Sequence, residues 1–177
     1  MSIKTWQAIP FLTLAVLGIP TYAAIDGQLG ATSTASLTIN LTVLPKIQIK
    51  QLDDFQMTVS EDTNPAKVQQ IKTGCVVANT ASGYYTLSAT NSQGQAKNGY
   101  YQMQNGKGAS VSYSMSASNI GGDFHSITNH QTAQLKAINA TDCAHGKNLQ
   151  LKVQLAKDAQ LKPGQYGDVI QLQVVPV

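Results

Sequence analysis

Along residues 29–43 apolar and polar positions alternate with a period of two. Leu29, Ala31, Ala35, Leu37, Ile39, Leu41 and Val43 fall on one face, with Ser33 among them, and Ser36, Thr38, Asn40 and Thr42 fall on the other. This period predicts a half-buried strand. The stretch outruns the ~5–6 residues of an ordinary strand. Pro45, which has no N–H to donate, ends it. So long an amphipathic strand needs a sheet to pair with.

The same period recurs through the rest of the chain. Ile47 and Ile49 predict a short strand, and Phe55, Met57 and Val59 predict another after a turn at Asp53-Asp54. Residues 60–65 (SEDTNP) have loop composition. Residues 67–78 hold a strand or two ending in Cys75-Val76-Val77-Ala78, and residues 84–90 place Tyr85, Leu87 and Ala89 on one face. Residues 91–98 read as a polar loop, and the Asn105-Gly106 step joins strands at 100–102 and 110–115 as a hairpin. Residues 116–132 are irregular, and 133–137 form a short strand. Residues 149–155 alternate most clearly, with Leu149, Leu151, Val153 and Leu155 inward. A closing strand over 166–175 puts Ile170, Leu172 and Val174 inward. No 3.6-residue period appears outside the N-terminal segment. Many short strands with Gly, Asn and Pro turns predict an all-β chain, an antiparallel sandwich.

The N-terminal segment changes the compartment. Lys4, the apolar run over 9–19 and Thr21-Tyr22-Ala23 have the layout of a secretory signal, with cleavage expected after Ala23. The apolar run is too short to span a bilayer, and no later segment is long and apolar enough, so an exported protein without stable membrane insertion is expected. About 150 residues then remain, enough for one domain with a sizeable core. The two cysteines, Cys75 and Cys143, lie 68 positions apart. In an oxidising compartment an even pair reads as a disulfide. The rival reading, a metal or catalytic thiol, finds no CxxC, and only Cys143 has a nearby histidine, His145.

Charge and candidate chemistry narrow the function. All 12 basic residues are lysines, and they are scattered, which argues against a nucleic-acid surface. His125 and His130, with Asp123 nearby, have no spacing specific to a metal, and no metal or cofactor is expected. Ser110, Ser112, Ser114 and Ser116 alternate as a polar outer face rather than as a nucleophile, since no GxSxG elbow is present. No phosphate-binding or dinucleotide fingerprint appears, and an enzyme is not expected. Tyr84, Tyr85, Tyr100, Tyr101 and Tyr113 could stack sugars on neighbouring strands. The better reading packs alternate tyrosines into the core with their hydroxyls at its rim.

Four features together resemble the subunits of chaperone–usher pili, especially the archaic Csu-like and spore-coat-protein-U-like pilins. They are the signal segment, the arm GQLGATSTASLTINLTV, the Cys75 strand followed by SGYYTLSAT, and the ending DCAHGKNLQLKVQL…LKPGQYGDVIQLQVVPV. The ending is similar to a closing strand of the form PxGxYxDxxxxxV. Many such subunits carry a Cys soon after the arm, where this chain has Lys46-Ile47-Gln48-Ile49, so its disulfide would join different strands. The resemblance implies an immunoglobulin-like sandwich that lacks a strand and is completed by donor-strand exchange. It divides the chain into a signal peptide (1–23), a donor arm (24–45) and a pilin-like domain (46–177). Leu37, Ile39, Leu41 and Val43 would fill pockets of the next subunit's groove, and the head-to-tail contact would give a filament. The implied partners are other copies or related pilins, a periplasmic chaperone and an outer-membrane usher, and the implied location is the periplasm and then the cell-surface fimbrium. Two other readings stand beside it. One is a secreted sandwich with a self-paired N-terminal strand, binding carbohydrate. The other is a tip adhesin, which a single domain of this length makes the lesser choice.

Overall fold

In the computed structural model the chain is described over residues 25–92, 99–128, 130–140, 142–144 and 146–177. The expected signal peptide, most of the polar loop at 91–98, and His145 lie outside these residues. The described residues fall into two units, one ending at Val43 and one running from Leu44 to Val177.

Among the described residues the larger unit has nine strands: β1 (Ile47–Lys50), β2 (Gln69–Ala78), β3 (Tyr84–Asn91), β4 (Tyr101–Gln104), β5 (Ser110–Asn119), β6 (His125–Ser126), β7 (Thr132–Lys136), β8 (Leu149–Leu155) and β9 (Ile170–Pro176). One 3-10 turn, Pro65–Lys67, is capped by Asn64, whose side chain accepts from the Ala66 N–H at 3.0 Å. Every ladder is antiparallel. One sheet runs β1-β2-β8-β5-β4, with β6 paired to β5, and the other runs β7-β3-β9. The fold is an all-β antiparallel sandwich of two sheets.

The period-two pattern sets which side chains the sandwich buries. Tyr85, Leu87 and Ala89 of β3 are buried against Leu149, Leu151, Val153 and Leu155 of β8 and Val111, Tyr113, Met115 and Ala117 of β5. The β4–β5 hairpin forms at the Asn-Gly step. The Asn105 side chain accepts from the N–H groups of Lys107 (2.9 Å) and Ala109 (3.1 Å), and Gly106 and Gly108 take φ of 70° and 87°. A left-handed pair of this kind is tolerated because glycine has no Cβ.

The disulfide joins Cys75 of β2 to Cys143 in the β7–β8 connection. Cys75 and Val77 point away from the main core and form a second cluster with Cys143 and Ile138. Residues 74–78 are therefore buried on both faces. This fixes the register of β2. Val76 faces the core with Ile49, while Gln70 and Lys72 share the inner-face register of Val153 and Leu151. Ile71 is turned outward and is exposed.

Two predicted strands differ. Residues 55–59 carry no ladder, although Phe55 and Met57 are half-buried against the core. The cause lies at Gln51, whose φ of 57° turns the chain out of β1. Leu52 then closes over Gly74, and the Gln56 N–H bonds to the Gln70 side chain at 3.1 Å. The closing strand begins at Ile170 rather than at 166, because Gly167 pairs with Gln104 of β4 in the opposite sheet.

Candidate functional site

Besides the two-residue β6, which pairs only with β5, four strands stand at sheet edges among the described residues: β1 and β4 in one sheet, β7 and β9 in the other. Two of these edges are partly occupied. The outer edge of β4 exchanges both backbone bonds with Gly167, at 3.1 and 3.0 Å. At β7, the Asn119 side chain accepts from the Lys136 N–H at 2.9 Å and donates to the Lys136 carbonyl at 2.9 Å.

β1 and β9 differ. Among the described residues β1 has a ladder only with β2 and β9 only with β3. The two strands lie beside each other, so two free strand edges meet along one seam. Their inner-face side chains, Ile47 and Ile49 on β1 and Ile170, Leu172 and Val174 on β9, are only half-buried. The matching positions of β3 and β8 are closed, with Leu87 and Leu149 both at 0% exposure. The same alternation gives a sealed face in the sheet centre and a part-open one at the seam. A seam of this kind offers main-chain hydrogen bonds along its edges and apolar contacts beneath them, which is what an added strand requires.

Among its described residues the unit ending at Val43 has one isolated antiparallel bridge, Ile25–Ser36, with backbone bonds of 3.1 and 3.2 Å. Residues 37–43 carry no strand, contrary to the expectation from their alternation. Leu37, Ile39, Leu41 and Val43 are 72%, 85%, 85% and 72% exposed. An alternating apolar face becomes a stable strand only when a sheet covers it.

At the start of β9 the Asp168 carboxylate gathers donors from both sheets. Its Oδ2 accepts from the Tyr113 hydroxyl (2.7 Å) and the Asn91 amide (3.1 Å), and its Oδ1 accepts from the Ser92 hydroxyl (2.8 Å) and the Val169 N–H (2.8 Å). Burial pushes the Tyr113 hydroxyl above the usual tyrosine range, and the hydrogen bond and negative charge of Asp168 push it further. Sequence reasoning did not single out Asp168. The available signal was its place two residues after Tyr166 in the closing-strand motif.

The tyrosines do not form one platform. Tyr85, Tyr101 and Tyr113 are buried, Tyr100 is half-buried and Tyr84 is exposed. Their hydroxyls also depart from a common rim. The Tyr101 hydroxyl donates to the buried Ala89 carbonyl at 2.6 Å, while the Tyr85 hydroxyl is buried with no hydrogen-bond partner among the described residues. Ser110, Ser112, Ser114 and Ser116 of β5 lie on the outer face, where Ser112 accepts from Gln102 at 2.9 Å. His125 lies on β6 opposite Ala117 and is exposed, as is His130. Among the described residues no three His, Cys, Asp or Glu side chains come together as a metal site. An open hollow of about 360 Å³ lies beside Asn119, Ile120, Lys136, Lys147 and Asn148. The amide groups of Asn119 and Asn148 there are already bonded to backbone.

No family model matches the chain, and no curated protein matches it. Solved structures of similar shape exist. Two of them come from pilus assembly. One is a chain of a chaperone–tip adhesin complex of CFA/I fimbriae biogenesis, with a TM-score of 0.48 and 14% identity over 74% of this chain and 42% of that one. Another is a chain of the chaperone–tip adhesion subunit pre-assembly complex from the archaic chaperone–usher Csu pili of Acinetobacter baumannii. There the TM-score is 0.39, with 16% identity over 75% of this chain and 40% of that one. The chain thus spans about two-fifths of the length of each. The sandwich itself follows from the ladders and the core described above.

Proposed function

We propose that the chain is a structural subunit of a bacterial surface pilus and polymerises by donor-strand complementation. The observation that carries this reading is the pairing of two complementary features in one chain. An exposed, unladdered segment presents Leu37, Ile39, Leu41 and Val43 at alternate positions, and the sandwich leaves a part-open apolar seam between the free edges of β1 and β9. The arm of one subunit adds a strand to the seam of the next. Its backbone pairs with the edges, and its alternate side chains cover the half-buried faces. Burial of four such side chains contributes about 6–10 kcal/mol before ordering costs. The contact is head-to-tail and does not close, so it propagates as a fibre.

The residue roles follow. The domain boundary falls at Pro45, with residues 24–45 as donor arm and 46–177 as acceptor domain. Adhesion and biofilm support follow from fibre formation, with no catalytic step. An uncovered seam invites edge-to-edge aggregation, so a periplasmic chaperone covers it after export and an outer-membrane usher receives the subunit. Cleavage after Ala23 frees the arm.

The test is size and thermal stability of the exported protein with and without a peptide spanning residues 27–45. Polymers, or a monomer whose melting temperature rises with peptide, support the reading. A stable monomer indifferent to the peptide would reject it.

A further inference from the structure

We propose that Asp168 is a positioning residue for arm acceptance, clasping the start of β9 to both sheets so that its free edge is held in place before an arm arrives. This rests on the donor-strand reading above and names a residue that reading does not require.

The chain changes sheets just before β9. Gly167 is bonded both ways to Gln104 of β4, and two residues later the Val169 carbonyl accepts from the Ser92 N–H at 2.8 Å, beyond the end of β3. A strand leaving such a corner with one ladder and a half-buried face can pivot about that ladder. Asp168 is the corner residue, and its four donors come from β5 (Tyr113), from the end of β3 (Asn91 and the adjacent Ser92) and from the corner itself (Val169). The donor on β5 is placed without it: Tyr113 is laddered to Tyr101 and Leu155, and its ring lies 5.6 Å from that of Tyr101. Losing the carboxylate therefore releases the corner and leaves the sheets laddered. The charge is needed as well as the shape. An ionised carboxylate is acceptor-only and can take all four bonds, whereas an amide would turn a donor toward two of them.

The experiment uses the full-length chain, wild type and with Asp168→Asn, Tyr113→Phe or both, and the peptide of residues 27–45 as ligand. The expected result is binding about tenfold weaker for Asp168→Asn, the size of one lost charge-assisted hydrogen bond. Tyr113→Phe should lose less, and the double variant should lose little more than Asp168→Asn alone, the coupling expected of groups that act through one contact. Hydrogen exchange should speed up at β9 amides and stay unchanged in β5 and β8, a pattern that general destabilisation would not give. If Asp168→Asn does not fold, Tyr113→Phe alone carries the test through peptide affinity and β9 exchange. Wild-type affinity in the variants overturns the clasp while leaving donor-strand assembly standing. A wild-type chain that does not bind the peptide overturns both.

Discussion

At the scale of single residues, the buried tyrosines make the molecule sensitive to alkali. Burial pushes the Tyr85 hydroxyl upward, and burial with Asp168 pushes Tyr113 upward. In the unfolded chain both lose their protons near pH ~10. Above that pH the folded state holds more protons than the unfolded state, so stability falls as pH rises, and it is fully present below. Urea midpoints should be flat from about pH 7 to 9 and fall above about 10. The Tyr85 hydroxyl has no hydrogen-bond partner among the described residues. Tyr85→Phe should therefore be neutral or stabilising at pH 7 and should blunt the alkaline fall, because it removes an orphaned polar group. Tyr101→Phe should instead cost about 1–3 kcal/mol in urea unfolding, by leaving the Ala89 carbonyl buried without its donor. Replacing Cys75 and Cys143 by alanine should cost about 2–4 kcal/mol, since their bond closes a long loop.

At the scale of elements, the contrast between β8 and β9 carries the functional reading. Both alternate cleanly, yet β8 lies between β2 and β5 and is sealed, while β9 has one ladder and stays half-open. Neighbours, not sequence pattern, set that difference. The arm shows the same rule in its extreme form, with an apolar face and no strand over residues 37–43. Leu41→Asp should abolish polymer in size-exclusion chromatography, by placing a charge where the seam is apolar. Leu41 is 85% exposed in the single chain, so the same change should alter monomer stability by no more than about 0.5 kcal/mol. Normal polymer from this variant would reject the role given to the arm.

At the scale of the whole molecule, the proposed donor segment and the proposed acceptor seam belong to different units of one chain. Removing residues 24–43 should leave a domain that folds, binds the 27–45 peptide with a raised melting temperature, and no longer extends a fibre. Unfolding on deletion would favour a sandwich that uses its own N-terminal strand. The disulfide ties β2 to the β7–β8 connection within the domain, so it bears on the domain's stability.

By itself the amino-acid sequence determined the class of fold and most of its strands, because alternation is local. Residues 84–91 and 149–155 need no partner to declare which side chains turn inward, and the Asn-Gly step at 105–106 declares its hairpin. It also supplied the cysteine pair and the apolar face of the arm. The tertiary structure decided what depends on distant neighbours. Burial of residues 74–78 on both faces sets the register of β2, which sends Ile71 outward and Gln70 and Lys72 to the inner face. The turn at Gln51 removes the predicted strand at 55–59. Which edges stay unpaired, and the gathering of Tyr113, Asn91 and Ser92 on Asp168, follow from ladders between strands far apart in the chain. A pattern of period two records which face a strand buries; it holds no record of which strand, or whose, will cover it.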